Sequence, residues 1–529
     1  MISPLNYLIG APLLGAFLIL LIPRNYRFVI RLIALSASLT AMAVGIWLFA
    51  EFDPQAGGYQ FEGEPKFFSW VESLGINYHV GVDGINIGLL LMGAIVAFAA
   101  TAVSWPIRER VKEFYLLLLL MITGILGAFA SLDLFFFYFF HELALVPTFI
   151  MIGVWGRGEN KNYATFQITL YLSIGALISL IGLIALYLQL PVKARTFDLV
   201  NLTAYFSDPE HTMALPAQNF IFPLLLFGFG ILVSLWPFHS WAPPGYGAAP
   251  TATAMLHAGV LKKFGLYGLI RIALPFMPMA SQSWMHIVAF LCLGNIVYCG
   301  LVAMRQRDLN LLIGNSSVAH MGFVFLGIAS LSLVGITGAI VVMIAHGFLA
   351  ALSFALTGYL HQQTRTLNMD EMGGLMRTLP FIGAALMMAM MAGCGLPGFA
   401  NFPGEAMVLF SGWKGFPLVT ILATWGALVI GAVYMLRAIR SILHGTLVTD
   451  GYPVIDATGA WRKLPFCLLI GSLLVFGFFP RLLTEKIGPS ASQIVSMATS
   501  QRVKTPRKKP ATRPARKLAM NPASERALQ

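Results

Sequence analysis

In "SLDLFFFYFFHELALVPTFIMIGVWG", residues 131 to 156, the carboxylate Glu142 stands beside His141 among aromatic and aliphatic residues. Ionisable residues interrupt apolar runs elsewhere: Lys262 and Lys263 in "HAGVLKKFGLYG", Glu405 in "GLPGFANFPGE", and the histidines His239, His257, His320 and His346. At membrane depth a charged group costs at least about 2.5 kcal/mol, so it is read as functional, with a partner. Stripped of water, such a group gives up its charge more readily than in solution, and imidazole needs little help to do so. The chemistry these residues suit is proton transfer along a relay. A blander reading stays open for some of them. A buried histidine is as a rule a hydrogen-bonded packing residue, and Lys262 can snorkel from a helix end. Glu142, far from either end of its run, has neither escape.

These residues need a membrane around them, and the composition supplies it. Of 529 residues 58% are hydrophobic and 11% charged, about half the charge of an ordinary soluble protein. Apolar runs of about 20 residues, the length that crosses a bilayer, recur fourteen times. They are too long and too uniformly apolar for barrel strands, so an all-α integral membrane protein is predicted. Two runs are predicted to be broken. The segment 237–250 holds four prolines, and the pairs Pro397-Gly398 and Pro403-Gly404 fall in the twelfth run, near 395–405; proline removes a backbone donor and clashes with the preceding turn. Pro237 and Pro397 lie 160 residues apart, in corresponding positions of two five-helix blocks, which is the pattern of an inverted-repeat transporter. The predicted division is 1–113 for the first three helices, 114–277 and 283–443 for the two repeats, 444–500 for the last helix and an interfacial segment, and 501–529 for a basic tail.

Sixteen short-loop lysines and arginines, Arg24 to Lys463, fall on one side of such a bundle and about seven on the other. The positive-inside rule then puts both termini outside the cytoplasm. The N-terminus shows no basic leader or cleavage site and reads as a retained first helix. The tail from 501 carries nine Lys/Arg against one Glu; it reads as solvated and disordered, or as a contact for acidic headgroups. Nucleic acid is not expected as a partner. Cys292, Cys299, Cys394 and Cys467 form no CxxC pair, so neither a cluster nor a metal site is predicted.

The motifs "YHVGVDGINIGLLL" from 78, "DLFFFYFFHELALVPTFIMIGVWG" from 133, "PFHSWAPPGYGAAPTA" from 237, "LKKFGLYGLIR" from 261, "NSSVAHMGFVFLGI" from 315, "HGFLAALSFALTGYL" from 346, "MDEMGGL" from 369 and "GLPGFANFPGE" from 395 resemble the antiporter-like subunits, M type, of bacterial NADH-quinone oxidoreductase, respiratory complex I. The resemblance runs from about residue 1 to 485. It implies a multi-pass subunit of the bacterial plasma membrane, packed against other antiporter-like subunits and translocating protons as quinone is reduced elsewhere. No cofactor is implied in this chain; NADH, FMN, iron-sulfur clusters and quinone belong to partner subunits. Glu142, Lys263 and Glu405 match the span-five glutamate, the central lysine and the outlet acid, and His320 and His346 match histidines of the connecting axis. His239, His257 and Lys262 are secondary candidates. The same fold serves multisubunit cation/proton antiporters and membrane-bound hydrogenases, and a non-pumping spacer is a further alternative. One departure stands out: where relatives carry a lysine paired with the span-five glutamate, this chain has Leu232. Either Lys262, His239 or His257 substitutes, which is the expectation, or the relay is altered.

Overall fold

A computed structural model describes residues 3–64, 66–447 and 454–500, so the expectations for the basic tail lie outside the described residues. With no water to bond them, backbone groups in hydrocarbon are satisfied within the chain, and the apolar runs accordingly form helices. Eighteen are described. They are α1 (Pro4–Leu21), α2 (Arg27–Glu51), α3 (Ile87–Val103), α4 (Val111–Ala130), α5 (Leu134–Trp155), α6 (Lys161–Tyr187), α7 (Leu199–Ser207), α8 (Leu215–Val233) and α9 (Ala242–Ala248). Then come α10 (residues 251–276), α11 (Pro278–Arg305), α12 (Leu309–Ala329), α13 (Leu333–Thr364), α14 (Pro380–Gly393), α15 (Asn401–Gly415), α16 (Pro417–Leu443), α17 (Ala460–Phe478) and α18 (Arg481–Thr499). Eleven are long and apolar enough to cross a membrane. The three further crossings expected from the sequence fall on the shorter α3, on α10 and on the interrupted pair α14 and α15.

Burial sorts the helices into layers. The apolar window of α13 is buried throughout and that of α12 almost so, whereas in α1, α2, α6, α16 and α17 only about a third of it is buried. The inner helices begin with side-chain caps: Asp308 accepts from Leu311 N at 2.9 Å for α12, and Ser332 from Gly335 N at 3.1 Å for α13. Such caps satisfy backbone donors that a helix start leaves free.

Both predicted interruptions are present, with shifted limits. The first opens at Ser234, in the left-handed region (φ 72°), three residues before Pro237, and runs to the short α9. Pro243 and Pro244 sit in the first turn of α9, where a missing N–H costs nothing. The second spans 394–400 around Pro397-Gly398. Pro403-Gly404 breaks nothing: both lie in the first turn of α15, the one place in a helix that tolerates proline.

Two elements were not read from the sequence. Between α2 and α3 a hairpin of β1 (Phe67–Val71) and β2 (Ile76–His79) pairs antiparallel, Phe67 opposite His79. Helix α7 lies at the same end.

Candidate functional site

The central lysines lie on α10, which is not a plain α-helix. At His257–Leu261 it widens into a π-turn, so Lys262 N donates to His257 O, 3.1 Å away, five residues back. The Ala258 carbonyl instead accepts from Lys263 Nζ at 2.7 Å. The local backbone therefore makes an acceptor for a buried ammonium. π-turns of this kind are frequent at functional sites. The two adjacent lysines diverge. Lys262, 1% exposed, donates to Ser317 Oγ on α12 at 3.1 Å, with the Tyr246 ring 5.5 Å off. Lys263, fully buried, meets His346 Nδ1 on α13 at 2.9 Å.

From His346 the row continues. Its ring centroid lies 5.5 Å from that of His320 on α12. His320 Nδ1 donates to Ser316 O at 2.8 Å, and Nε2 points toward Gly393 O at 3.2 Å and Glu405 Oε1 at 3.7 Å. Glu405 is 8% exposed, just past the first turn of α15, which follows the second interruption. A cavity of about 10 Å³ lined by His320, Cys394, Glu405 and Tyr434 lies beside it, the room one water needs. Tyr434 OH donates to Ser316 Oγ at 3.1 Å. On its outer side Glu405 lines an open groove of about 530 Å³ walled by Phe402, Leu409, Phe410 and Trp413. Lys263, His346, His320 and Glu405 thus form one buried row across α10, α13, α12 and α15.

The other candidates sit differently. His257 is sandwiched by Trp241 and Tyr246, within electrostatic reach of His141, Lys262 and Lys263. His141 stacks on Phe264 at 4.0 Å. Glu142 has a half-buried side chain, 34% exposed; its Oε1 is 3.5 Å from His141 Nδ1, and Tyr138 lies one turn earlier within hydrogen-bonding reach. Among the described residues no lysine or arginine pairs with it. Leu232 is buried, 2% exposed. Of the three groups expected to stand in for its cation, Lys262 is engaged with Ser317 and His239 lies in the first interruption, edge-on to Tyr298 at 5.6 Å. His257 is within electrostatic reach of His141, the neighbour of Glu142.

Several polar groups escaped the sequence reading. Asn295 on α11 bonds the first interruption, and a mid-run asparagine in "LCLGNIVYCG" was the available signal. Asp83 and Arg271 form a bidentate pair, Nη1–Oδ2 2.7 Å and Nη2–Oδ1 2.5 Å. At the same end His79 bridges Asp198 (2.5 Å) and Glu62 (3.0 Å). Burial opposes the charged imidazole there, but the two carboxylates outweigh it and hold the His79 pKa above its usual value. Asp133 caps α5, which carries Glu142, through Phe135 N and Phe136 N and also accepts from Asn77 N; burial pushes it up to about 6 against those bonds.

The profile of the family described as NADH:quinone oxidoreductase/Mrp antiporter, TM, matches residues 131–431. NADH-quinone oxidoreductase subunit M of Rhodobacter capsulatus is 34% identical over 89% of this chain and 91% of its own. NAD(P)H-quinone oxidoreductase chain 4 of Gloeobacter violaceus is 33% identical over 94% of each. Among solved structures, a chain of respiratory complex I from Thermus thermophilus superposes with a TM-score of 0.83 at 26% identity, covering 94% of this chain and 99% of that one. A chain of the Mrp complex from Dietzia sp. shares the fold, with a TM-score of 0.79 at 17% identity over 94% and 100% of the two chains. The chain is a member of the NADH:quinone oxidoreductase/Mrp antiporter transmembrane family.

Proposed function

We propose that this chain is a membrane-arm subunit of a proton-pumping NADH:quinone oxidoreductase and passes protons along Lys263, His346, His320 and Glu405. The observation that carries the reading is the buried row itself. Its members come from four helices, and each lies within direct or one-water reach of the next. Lys263 holds the central proton, the histidines pass it on, and Glu405 releases it toward the outlet. Lys262 and His257 set the field around Lys263, and His239 lies off the path. Glu142 with His141 is the loading end. NADH, FMN, iron-sulfur clusters and quinone are assigned to partner subunits, and the chain's own neighbours are other antiporter-like subunits of the arm. The blocks 114–277 and 283–443 act as the two repeats, one around each interruption. The cation distribution of the loops supports both termini outside the cytoplasm, and the bacterial relatives support a plasma-membrane setting.

A second reading, a spacer that holds the arm together without cycling protons, is favoured by one observation: Glu142 has no lysine or arginine partner among the described residues. The test is proton uptake by vesicles containing the purified complex. Co-purification of flavin- and iron-sulfur-bearing partners with this chain, and a loss of protons per electron pair in Lys263→Met, support the pump. An unchanged ratio in Lys263→Met leaves the spacer.

A further inference from the structure

The first interruption frees backbone groups at membrane depth, and several have traceable partners. Gly230 O accepts from Leu235 N at 2.8 Å, and Ile231 O from the Trp241 indole at 3.1 Å. Two more, Ser234 O and Trp236 N, go to one side chain. Asn295, fully buried in the π-turn of α11, accepts from Trp236 N through Oδ1 at 2.8 Å and donates through Nδ2 to Ser234 O at 2.9 Å. Its second amide hydrogen reaches Val318 O on α12 at 3.1 Å. Next door, Gly294 is required because the Trp236 ring packs directly on its α-carbon.

Val318 lies between two anchors of the row. Ser317 holds Lys262, and His320 reaches Gly393 O at the lip of the second interruption. Hydrogen bonds thus run from the first break through Asn295 to the four-residue stretch 317–320 of α12, and from there to a central lysine and to the second break. An aliphatic residue at 295 would leave a buried N–H and a buried C=O unpaired.

We propose that Asn295 is a positioning residue for proton transfer, fixing the first interruption to the α12 stretch that seats Lys262 and His320. It touches no proton itself; it sets where those two groups stand. The proposal rests on the relay reading above.

The test uses the intact complex in vesicles with three variants: Asn295→Leu, which removes all three bonds; Asn295→Asp, which keeps the acceptor and loses both donors; and Lys263→Met. NADH:quinone electron transfer and protons per electron pair are measured separately, the latter across pH. In the two Asn295 variants electron transfer is expected to stay within about two-fold of wild type. Protons per electron pair are expected to fall as far in Asn295→Leu as in Lys263→Met, and by an intermediate amount in Asn295→Asp, with a displaced pH profile. If assembly and electron transfer decline while the ratio holds, Asn295 is only a packing residue and the proposal is overturned. A fall in Lys263→Met without one in either Asn295 variant overturns it and spares the relay. No fall in any variant overturns the relay itself. Should Asn295→Leu not assemble, Asn295→Asp decides by the same readout.

Discussion

Replacing Asp83 by Asn should cost more stability than replacing Asp83 and Arg271 together. Arg271 is 7% exposed, its guanidinium gripped by both Asp83 oxygens, its Nε donating to Tyr267 OH at 3.3 Å, and the Tyr59 and Tyr267 rings 5.5 and 5.4 Å away. Asn keeps the side-chain volume and the oxygen that accepts from Ile85 N at 2.9 Å, so the turn survives. What goes is the negative charge, leaving a buried guanidinium uncompensated. Removing one partner of such a pair costs about 3–5 kcal/mol, roughly a 10²- to 10³-fold or greater loss in the folded population. The double variant Asp83→Asn with Arg271→Met buries no charge and should recover most of that, since replacing a whole buried pair by apolar groups is often neutral. Equilibrium unfolding of the purified variants in mixed detergent micelles measures both. A single variant within about 1 kcal/mol of wild type, or a double variant worse than the single one, would refute the reasoning that the pair is needed only because each half is buried.

Glu142→Gln should insert and assemble but lose most of the chain's proton flux in vesicles, because the isostere keeps the volume and cannot release a proton; normal flux sinks its loading role. Leu232→Lys places a cation in the α5–α8 neighbourhood. If the unmodified complex already shows the full family stoichiometry, another group such as His141 or His257 serves, whereas a deficit that the lysine repairs shows that nothing did. His79→Gln tests the clamp outside the bundle. The His79 pKa is raised, so its contribution is complete below the ordinary histidine value and is lost as pH rises through the folded one. The gap in thermal midpoint between wild type and variant should therefore narrow as pH rises above the ordinary histidine value; a constant or widening gap excludes a charged clamp.

How much of this was legible depended on the kind of signal. The apolar runs announce helices because nothing else crosses a bilayer, and Pro237 and Pro397 announce interruptions. Proline alone does not locate them, as Pro403 shows from the first turn of α15, and nothing in "LVSLWPFH" marks Ser234 as left-handed. Glu142, Lys263, Glu405, His320 and His346 were conspicuous as ionisable residues in oil. Their connection was not readable, because the π-turn at 257–261 sets which neighbour each lysine meets: Lys262 goes to α12 and Lys263 to α13. Asn295 carries no charge and so raised no alarm. The β1–β2 hairpin lay between two apolar runs, in a segment that neither a long apolar run nor an ionisable residue in oil singled out.

The turn at Asp83 has a consequence for biogenesis. Gly84 N donates to Ser490 Oγ at 3.1 Å across 406 residues of sequence, and the carbonyl of Lys486 on α18 presses on the Gly84 α-carbon so closely that no side chain fits. At synthesis rates of about 5–20 residues per second, that contact becomes available roughly 20–80 s after Gly84 leaves the ribosome. Arg271, 188 residues after Asp83, emerges about midway through that interval, and from then on the loop ahead of α3 has its ion-pair partner but not its lid. Nascent chains that stop before α18 should therefore carry helices α1–α3 with an unfinished connecting loop, the state in which quality-control proteases would meet them.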